Sequence, residues 1–232
     1  MDLHVLPKAD NANSSQEIAN LLRLAGYSAV ALTVPTGLMQ DRVAALRKIF
    51  EDEGIETCLR VDLASNSRTD LLRLLRRFRS RFDIVAVRCT NQMVATVACR
   101  DRRVDLVFFD PDNFRVRFNH PLANLLRGAL EFNIMSTFLS GPRSAILARV
   151  CKEAGVANEH RNEVVLSSGC EAPSMVRSPL QISAIASALG LSEEQCRHGI
   201  MDTPRSIISR NLERRSGTYV EEGVKLVAAK VR

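Results

Sequence analysis

Seven short, almost wholly apolar segments recur along the chain, and an amphipathic segment separates each one from the next. The apolar segments lie at residues 3–6, 28–34, 57–63, 84–89, 106–109, 130–135 and 164–167. Helix-like segments lie between them at residues 14–25, 38–53, 69–81, 91–101, 121–127 and 142–154. Apolar strands that alternate with amphipathic helices are typical of a parallel sheet that helices cover on its outer face or on both faces. This alternation predicts an α/β protein.

The regular repetition of strand and helix also limits the topology. Seven such units without a glycine-rich break favour a TIM-like (β/α) barrel with about seven parallel strands, and an open doubly wound sheet is the alternative. Further helices are predicted at residues 179–189, 192–198 and 204–214, so C-terminal helices continue from about residue 192 onward. No linker or low-complexity tract divides the chain, and we therefore expect residues 1–232 to form one domain.

Two stretches are expected at the barrel face where strands lead into helices, which is where functional sites usually lie in such folds. Ser167-Ser168-Gly169 is a small-residue turn whose backbone N–H groups can bind a phosphate. Ser178 and Pro179 suit the N-cap and first position of a helix, so Arg177 lies just before a helix N-terminus. The helix dipole repels a cation there, which indicates a negative partner for Arg177. An anionic ligand and a nearby carboxylate such as Glu171 are the two alternatives.

The charge balance indicates a polyanionic partner. The net charge is +6, and only five of the 32 basic residues are lysine. Arginine binds phosphate bidentately and stacks on bases, although a GC-rich genome explains the same bias. Basic clusters lie at residues 73–81, 100–103 and 115–117, the last between Phe114 and Phe118. The alternative to binding a polyanion for the first cluster is a helix face that is simply solvated. For Phe114 and Phe118, the alternative is that they pack in the core or anchor a protein interface.

The sequence contains few signals of a catalytic site. The opening Asp2-Leu3-His4 resembles the first strand of the polymerase-and-histidinol-phosphatase barrels, metal-dependent phosphoesterases in which this strand normally reads His-x-His. Leu6 stands at the second histidine position, and no other histidine has metal-ligand spacing with a second ligand. The sequence has no G-x-S-x-G elbow and no Walker or dinucleotide fingerprint. We therefore expect no catalytic residue, and no metal or cofactor bound by the chain itself.

The cysteines and the hydropathy bear on localisation. The six cysteines are scattered without a C-x-x-C pair, which favours free thiols in a reducing compartment. No apolar run approaches the roughly 20 residues that span a bilayer, and residues 1–7 do not resemble a signal peptide. We expect a cytoplasmic protein with no membrane segment.

Three stretches carry a resemblance that covers nearly the whole chain, to about Asn211. They read RVDLVFFDP…FNHPLANLLRGALEFNIMS, VVLSSGCEAPSMVRSPLQISAIASALGLS and TPRSIISRN. They resemble the ribonuclease P protein component 3 family, the archaeal counterpart of the thirty-kilodalton protein subunit of eukaryotic ribonuclease P. The resemblance implies a barrel of the polymerase-and-histidinol-phosphatase type without its metal ligands.

The resemblance also implies a function. Members bind the ribonuclease P RNA, which removes 5′ leaders from precursor tRNA, and they pair with a Pop5-like subunit (component 2). The RNA holds the Mg²⁺ that the holoenzyme requires, so the isolated chain is expected to be inactive. The alternative is a stand-alone metal-dependent phosphoesterase of the related barrel family.

The predicted contact residues combine this resemblance with the basic clusters. Arg88 and Arg177 fall within basic segments of the family and are predicted to contact RNA. The other predicted RNA contacts are Ser168, Arg103, Lys152 and Arg76. The mixed basic and aromatic segment is the predicted partner interface, through Phe114, Phe118, Arg115 and Arg117.

Overall fold

Seven parallel strands form the centre of the structure, a computed structural model that describes residues 1–8, 10–139, 143–216, 219–221 and 224–225. The strands are β1 (Asp2–Val5), β2 (Ala29–Thr33), β3 (Glu56–Ala64), β4 (Ile84–Arg88), β5 (Leu106–Phe108), β6 (Ala129–Asn133) and β7 (Val164–Ser167). Their order in the sheet is their order in the chain. A doubly wound sheet reverses its strand order at a switch point, so this alternative is excluded.

The sheet curves until its two edge strands meet. Val5 and Cys170, just beyond the end of β7, form a parallel bridge. The Leu6 N–H donates to the Cys170 carbonyl at 2.8 Å, and the Cys170 N–H donates to the His4 carbonyl at 3.2 Å. These bonds close most of the gap between β1 and β7. The prediction of a (β/α) barrel is therefore confirmed.

Helices follow the strands on the outside of the barrel. They are α1 (Ala12–Leu24), α2 (Gln40–Asp52), α3 (Arg68–Phe78), α4 (Gln92–Arg100), α5 (His120–Ala123), α6 (Ile134–Leu139), α7 (Arg143–Glu159), α8 (Pro179–Ala188), α9 (Glu193–Ile200) and α10 (Asp202–Arg215). A 3₁₀ helix at Pro173–Met175 and a hairpin of β8 (Tyr219–Glu221) and β9 (Val224–Lys225) were not predicted. Within the described ranges, no helix is both long and apolar enough to cross a membrane.

Helix α6 differs from the prediction, which extended the sixth strand to residue 135. Asn133 ends the strand because its side-chain oxygen accepts the Ser136 N–H at 3.1 Å and its carbonyl accepts the Thr137 hydroxyl at 2.9 Å. An asparagine that bonds the backbone three residues ahead begins a helix rather than continuing a strand. Pro142, the predicted start of the next helix, lies outside the described residues.

The start of α8 follows the prediction. The Ser178 hydroxyl accepts the Gln181 N–H at 3.3 Å, and the Gln181 side chain accepts the Ser178 N–H at 2.9 Å. This capping box, with Pro179 at the first position, gives the helix one defined starting residue.

The amino end of the barrel is filled by apolar side chains and closed by α10. Ile207 of α10 packs with barrel-lining residues that include Leu3, Ile84 and Val165. The Asn211 amide donates to the Asp83 carbonyl at 2.9 Å, and Arg215 pairs with the Asp83 carboxylate at 2.5 Å. These bonds hold the helix across the end of the barrel where β4 begins.

Candidate functional site

Ionised side chains fill the barrel interior toward the carboxyl ends of the strands. The Arg60 guanidinium is fully buried and donates two bonds of 2.6 Å to the two oxygens of Glu131. Its Nε donates to Asp62 at 2.7 Å. A bidentate arginine–carboxylate pair is the strongest neutralising contact that a buried glutamate can make with a side chain.

His4 completes this charged cluster, which we define as His4, Arg60, Asp62 and Glu131. Its Nδ1 lies 3.2 Å from Glu131 Oε1, and its Nε2 lies 3.2 Å from Asp62 Oδ2. Burial and the Arg60 guanidinium lower the pKa of His4, but Glu131 and Asp62 outweigh them and raise the pKa to about 9. The imidazole is therefore protonated at neutral pH.

The two carboxylates of the charged cluster are ionised. Burial raises the pKa of Glu131, but Arg60 and His4 hold it well below its ordinary value. The pKa of Asp62 is lowered for the same reason. The cluster thus contains two cations and two anions and carries no net charge.

This cluster does not fit a metal ion. Among the described residues, no group of three or more His, Cys, Asp or Glu side chains is placed to hold one. The physical reason is that the Arg60 guanidinium already bonds the carboxylate oxygens that a metal would need. Ser167 adds a further bond, since its hydroxyl donates to Glu131 at 2.6 Å.

The predicted phosphate-binding turn is instead part of the barrel closure. Ser168 is fully buried, and its N–H donates to the Asp2 carboxylate at 3.2 Å. Gly169 has a φ of +64°, and a Cβ there would collide with the Asn133 side-chain amide. The prediction that Ser168 contacts RNA is therefore corrected, because neither its side chain nor its N–H is free to reach a ligand.

Arg177 lies between the 3₁₀ helix and α8, and its carbonyl accepts the Tyr27 hydroxyl at 3.0 Å. Its Nη1 donates to the carbonyls of Ser174, at 2.9 Å, and Val176, at 2.7 Å. Within the described part of the chain, Arg177 forms no ion pair, so the alternative of a bond to Glu171 is not observed. The two carbonyls hold the guanidinium in place without neutralising it.

Arg88 ends β4 and therefore lies at the carboxyl end of the barrel. Its side chain is half-exposed, and its Nε lies 3.0 Å from the Asp110 carboxylate. One side of the guanidinium is thus neutralised, while the exposed remainder faces solvent.

Two other predicted contacts lie elsewhere. Arg103 precedes β5 at the amino end of the barrel, and its Nε and Nη2 donate to Asp101 at 2.8 and 2.6 Å. Arg76 is exposed on α3, together with Arg73 and Arg77. The structure does not bring these arginines together with Arg88 into one site.

The segment at residues 114–118 divides into an exposed and a buried part. Phe118 is 2% exposed and packs against Phe109 with ring centroids 6.1 Å apart, whereas Phe114 is 58% exposed. The prediction of Phe118 as an interface residue is therefore corrected: it is a core residue. Arg115 and Arg117 are exposed, and Lys152 of α7 lines the same groove.

Sequence reasoning missed the charged cluster. Arg60 and Asp62 interrupt the third apolar strand segment and Glu131 interrupts the sixth, and these exceptions to the pattern were the available signal. A charge at such a position is retained only if the fold supplies a partner of opposite sign.

The fold and interior define a class: a nearly closed (β/α) barrel whose interior holds a cluster of paired charges. The model of the family "RNase P subunit p30" matches residues 1–216. The chain belongs to this family.

Individual relatives agree with this assignment. Ribonuclease P protein component 3 of Methanosarcina mazei is 26% identical over 233 residues, covering 97% of this chain and 93% of the relative. The corresponding protein of Methanothermobacter thermautotrophicus is 24% identical over 235 residues, covering 97% and 94%. A chain in the cryo-EM structure of archaeal ribonuclease P with mature tRNA has the same fold, with a TM-score of 0.83 and 17% identity over 98% of this chain and 99% of the other.

Proposed function

We propose that this chain acts as a protein subunit of ribonuclease P, binding the catalytic RNA and supporting removal of the 5′ leader from precursor tRNA. The observation that carries the proposal is the family match over residues 1–216, together with relatives aligned over more than nine-tenths of their length. Catalysis belongs to the RNA, and the stand-alone phosphoesterase alternative is not favoured.

The chain contributes positive charge to this assembly. Its net charge is +6, Arg88 lies at the carboxyl end of the barrel with a half-exposed side chain, and the partly exposed Arg177 guanidinium has no ion-pair partner among the described residues. Since ionic contacts to phosphate supply much of protein–RNA affinity, we assign these two arginines to phosphates of the ribonuclease P RNA.

The remaining elements of the proposal concern cofactor, partner and location. The charged cluster is neutral and internally paired, which supports Mg²⁺ being held by the RNA rather than by this chain. A Pop5-like subunit is the proposed protein partner, precursor tRNA is the substrate, and the complex acts in the cytoplasm.

The isolated chain is expected to show no turnover of precursor tRNA or of small phosphoesters in Mg²⁺, Mn²⁺ or Zn²⁺. Activity should appear only after reconstitution with ribonuclease P RNA and its other protein subunits, as measured by gel-resolved 5′-leader release. Turnover by the chain alone that survives treatment with micrococcal nuclease would favour the phosphoesterase alternative.

Changing Arg177 to alanine is expected to weaken RNA binding and to reduce the slope of log affinity against log salt by roughly 0.7 to 0.9. The melting temperature should stay unchanged, because the side chain bonds only two carbonyls of its own loop. Filter binding across a salt series, together with thermal melting, measures both quantities.

Arg215→Ala is the control, because Arg215 is exposed on α10 and pairs with the Asp83 carboxylate at the amino end of the barrel. It should keep the parental slope. A parental slope for Arg177→Ala combined with a lower melting temperature would show that Arg177 serves the loop and not RNA.

A further inference from the structure

A groove runs between the segment at residues 114–117 and helix α7. We call it the basic groove and define it by Phe114, Arg115, Arg117, Arg149 and Lys152. Its volume is about 380 Å³, within the range of pockets that hold small ligands.

The wall of the basic groove is held in place by a buried pair on α7. Arg149 is 7% exposed and donates to the carbonyls of Asn113, at 2.7 Å, and Val116, at 2.9 Å. Its Nε donates to Glu153 at 3.0 Å, and Glu153 also accepts the Phe118 N–H at 3.2 Å. Because these bonds fix the backbone on both sides of Arg115 and Arg117, the groove has its shape before any ligand arrives.

The charges of the basic groove are unbalanced. Arg115, Arg117 and Lys152 are exposed, and among the described residues none of them forms an ion pair. The buried carboxylate of Glu153 is bonded to Arg149, and Glu159 of the adjoining cavity lies 3.7 Å from His120. Three neighbouring cations without an ion-pair partner among the described residues favour an anionic occupant.

Phe114 adds an aromatic surface to these cations. Its ring is 58% exposed, and the Arg149 guanidinium carbon lies 5.8 Å from the ring centroid. Protein interfaces are enriched in aromatic residues and arginine but depleted of lysine, so Lys152 is the member of the groove that a protein interface fits least. One aromatic ring among three unpaired cations is instead the composition of a single-stranded nucleic-acid platform.

We propose that the basic groove binds an unpaired nucleotide of RNA, with the base stacked on Phe114 and the adjoining phosphates contacting Arg115, Arg117 and Lys152. This inference rests on the proposed function, and it assigns a second RNA contact that lies on the side of the barrel, on the segment after β5 and on helix α7. It also means that the exposed part of the segment at residues 114–118 contacts RNA and not a protein partner.

The test uses the full chain and two probes: a single-stranded oligouridylate of eight nucleotides and the complete ribonuclease P RNA. Phe114→Leu keeps apolar bulk but removes the aromatic ring, and we expect about 5- to 100-fold weaker binding of the oligonucleotide. The salt slope should not change, because no charge is removed. Phe114→Tyr should restore the affinity.

The Lys152→Gln variant tests the ionic part of the binding, as Phe114→Leu tests the stacking part. It should reduce the salt slope for the oligonucleotide by roughly 0.7, while the melting temperature stays parental because the side chain is exposed. Leu180→Ala, which alters a 79% exposed apolar side chain on α8, is the control and should change neither quantity.

The outcomes separate this inference from the proposed function. If the parental chain binds ribonuclease P RNA and Phe114→Leu and Lys152→Gln bind both probes equally well, the groove assignment is overturned and the proposed function stands. If these variants instead lose binding to the Pop5-like subunit, the groove is a protein interface and the inference is overturned. If the parental chain binds neither the oligouridylate nor the ribonuclease P RNA, both the groove assignment and the proposed function are overturned.

Discussion

Replacing Arg60 with methionine is expected to lower the free energy of unfolding by about 3 to 5 kcal/mol, because removing one partner leaves a buried charge unpaired. Arg60 is the only cation that contacts both oxygens of Glu131 among the described residues, and both side chains are fully buried. Urea unfolding followed by circular dichroism measures the loss.

The double variant Arg60→Met with Glu131→Gln separates the cost of an unpaired carboxylate from the cost of changed packing. It should lose less stability than Arg60→Met alone, since the glutamine leaves no buried charge at residue 131. Arg103→Met is a control in which a partly exposed arginine pairs with Asp101, and it should cost no more than about 1 kcal/mol. A loss below 1 kcal/mol for Arg60→Met would contradict the buried pairing described here.

The second large effect is a loss of stability as the pH rises. The pKa of His4 is about 9 in the folded chain and 6.5 as its ordinary value, a difference worth about 3 kcal/mol. This contribution is fully present below pH 6.5, and it falls as the pH rises from 6.5 through 9, because the unfolded chain then binds fewer protons than the folded chain. Unfolding midpoints in urea between pH 6 and 8.5 measure the slope.

His4→Gln is the variant that tests this assignment. Its stability should vary less with pH over the same range, because the titrating group is gone. Burial raises the pKa of Cys58, Cys99 and Cys170 to about 12, so these thiols reduce stability only as the pH passes their ordinary value of 9. An equal slope in the parental chain and the variant would show that another group titrates.

The strands and helix starts could be read from the sequence because their signals are local. Ser178, Pro179 and Gln181 are near neighbours in the chain, and they form the capping box without help from the rest of the fold. The apolar composition of the strand segments likewise predicts directly that these segments are buried. The strand end at Asn133 was missed because an apolar run continues through Ile134 and Met135, which are buried in a helix instead.

The interior and the groove could not be read in the same way. Arg60 and Glu131 are 71 residues apart, and only the sequential strand order places them across one barrel. Phe114 and Phe118 lie in an irregular segment without periodicity, so the sequence could not show that one faces solvent and the other faces Phe109. Lys152 joins Arg115 and Arg117 only because Arg149 fixes the segment against α7.

The closure of the barrel has a consequence for its synthesis on the ribosome. Strand β1 emerges before the rest of the barrel, yet its bonds to Cys170 and the Ile207 packing at the amino end need residues made much later. At 5 to 20 residues per second, this delay is roughly 8 to 40 seconds. During that interval one edge of β1 is open to pairing with other chains. A nascent chain stalled before Cys170 therefore presents both an unpaired strand edge and an open barrel end, and a chain stalled between Cys170 and α10 still presents the open end.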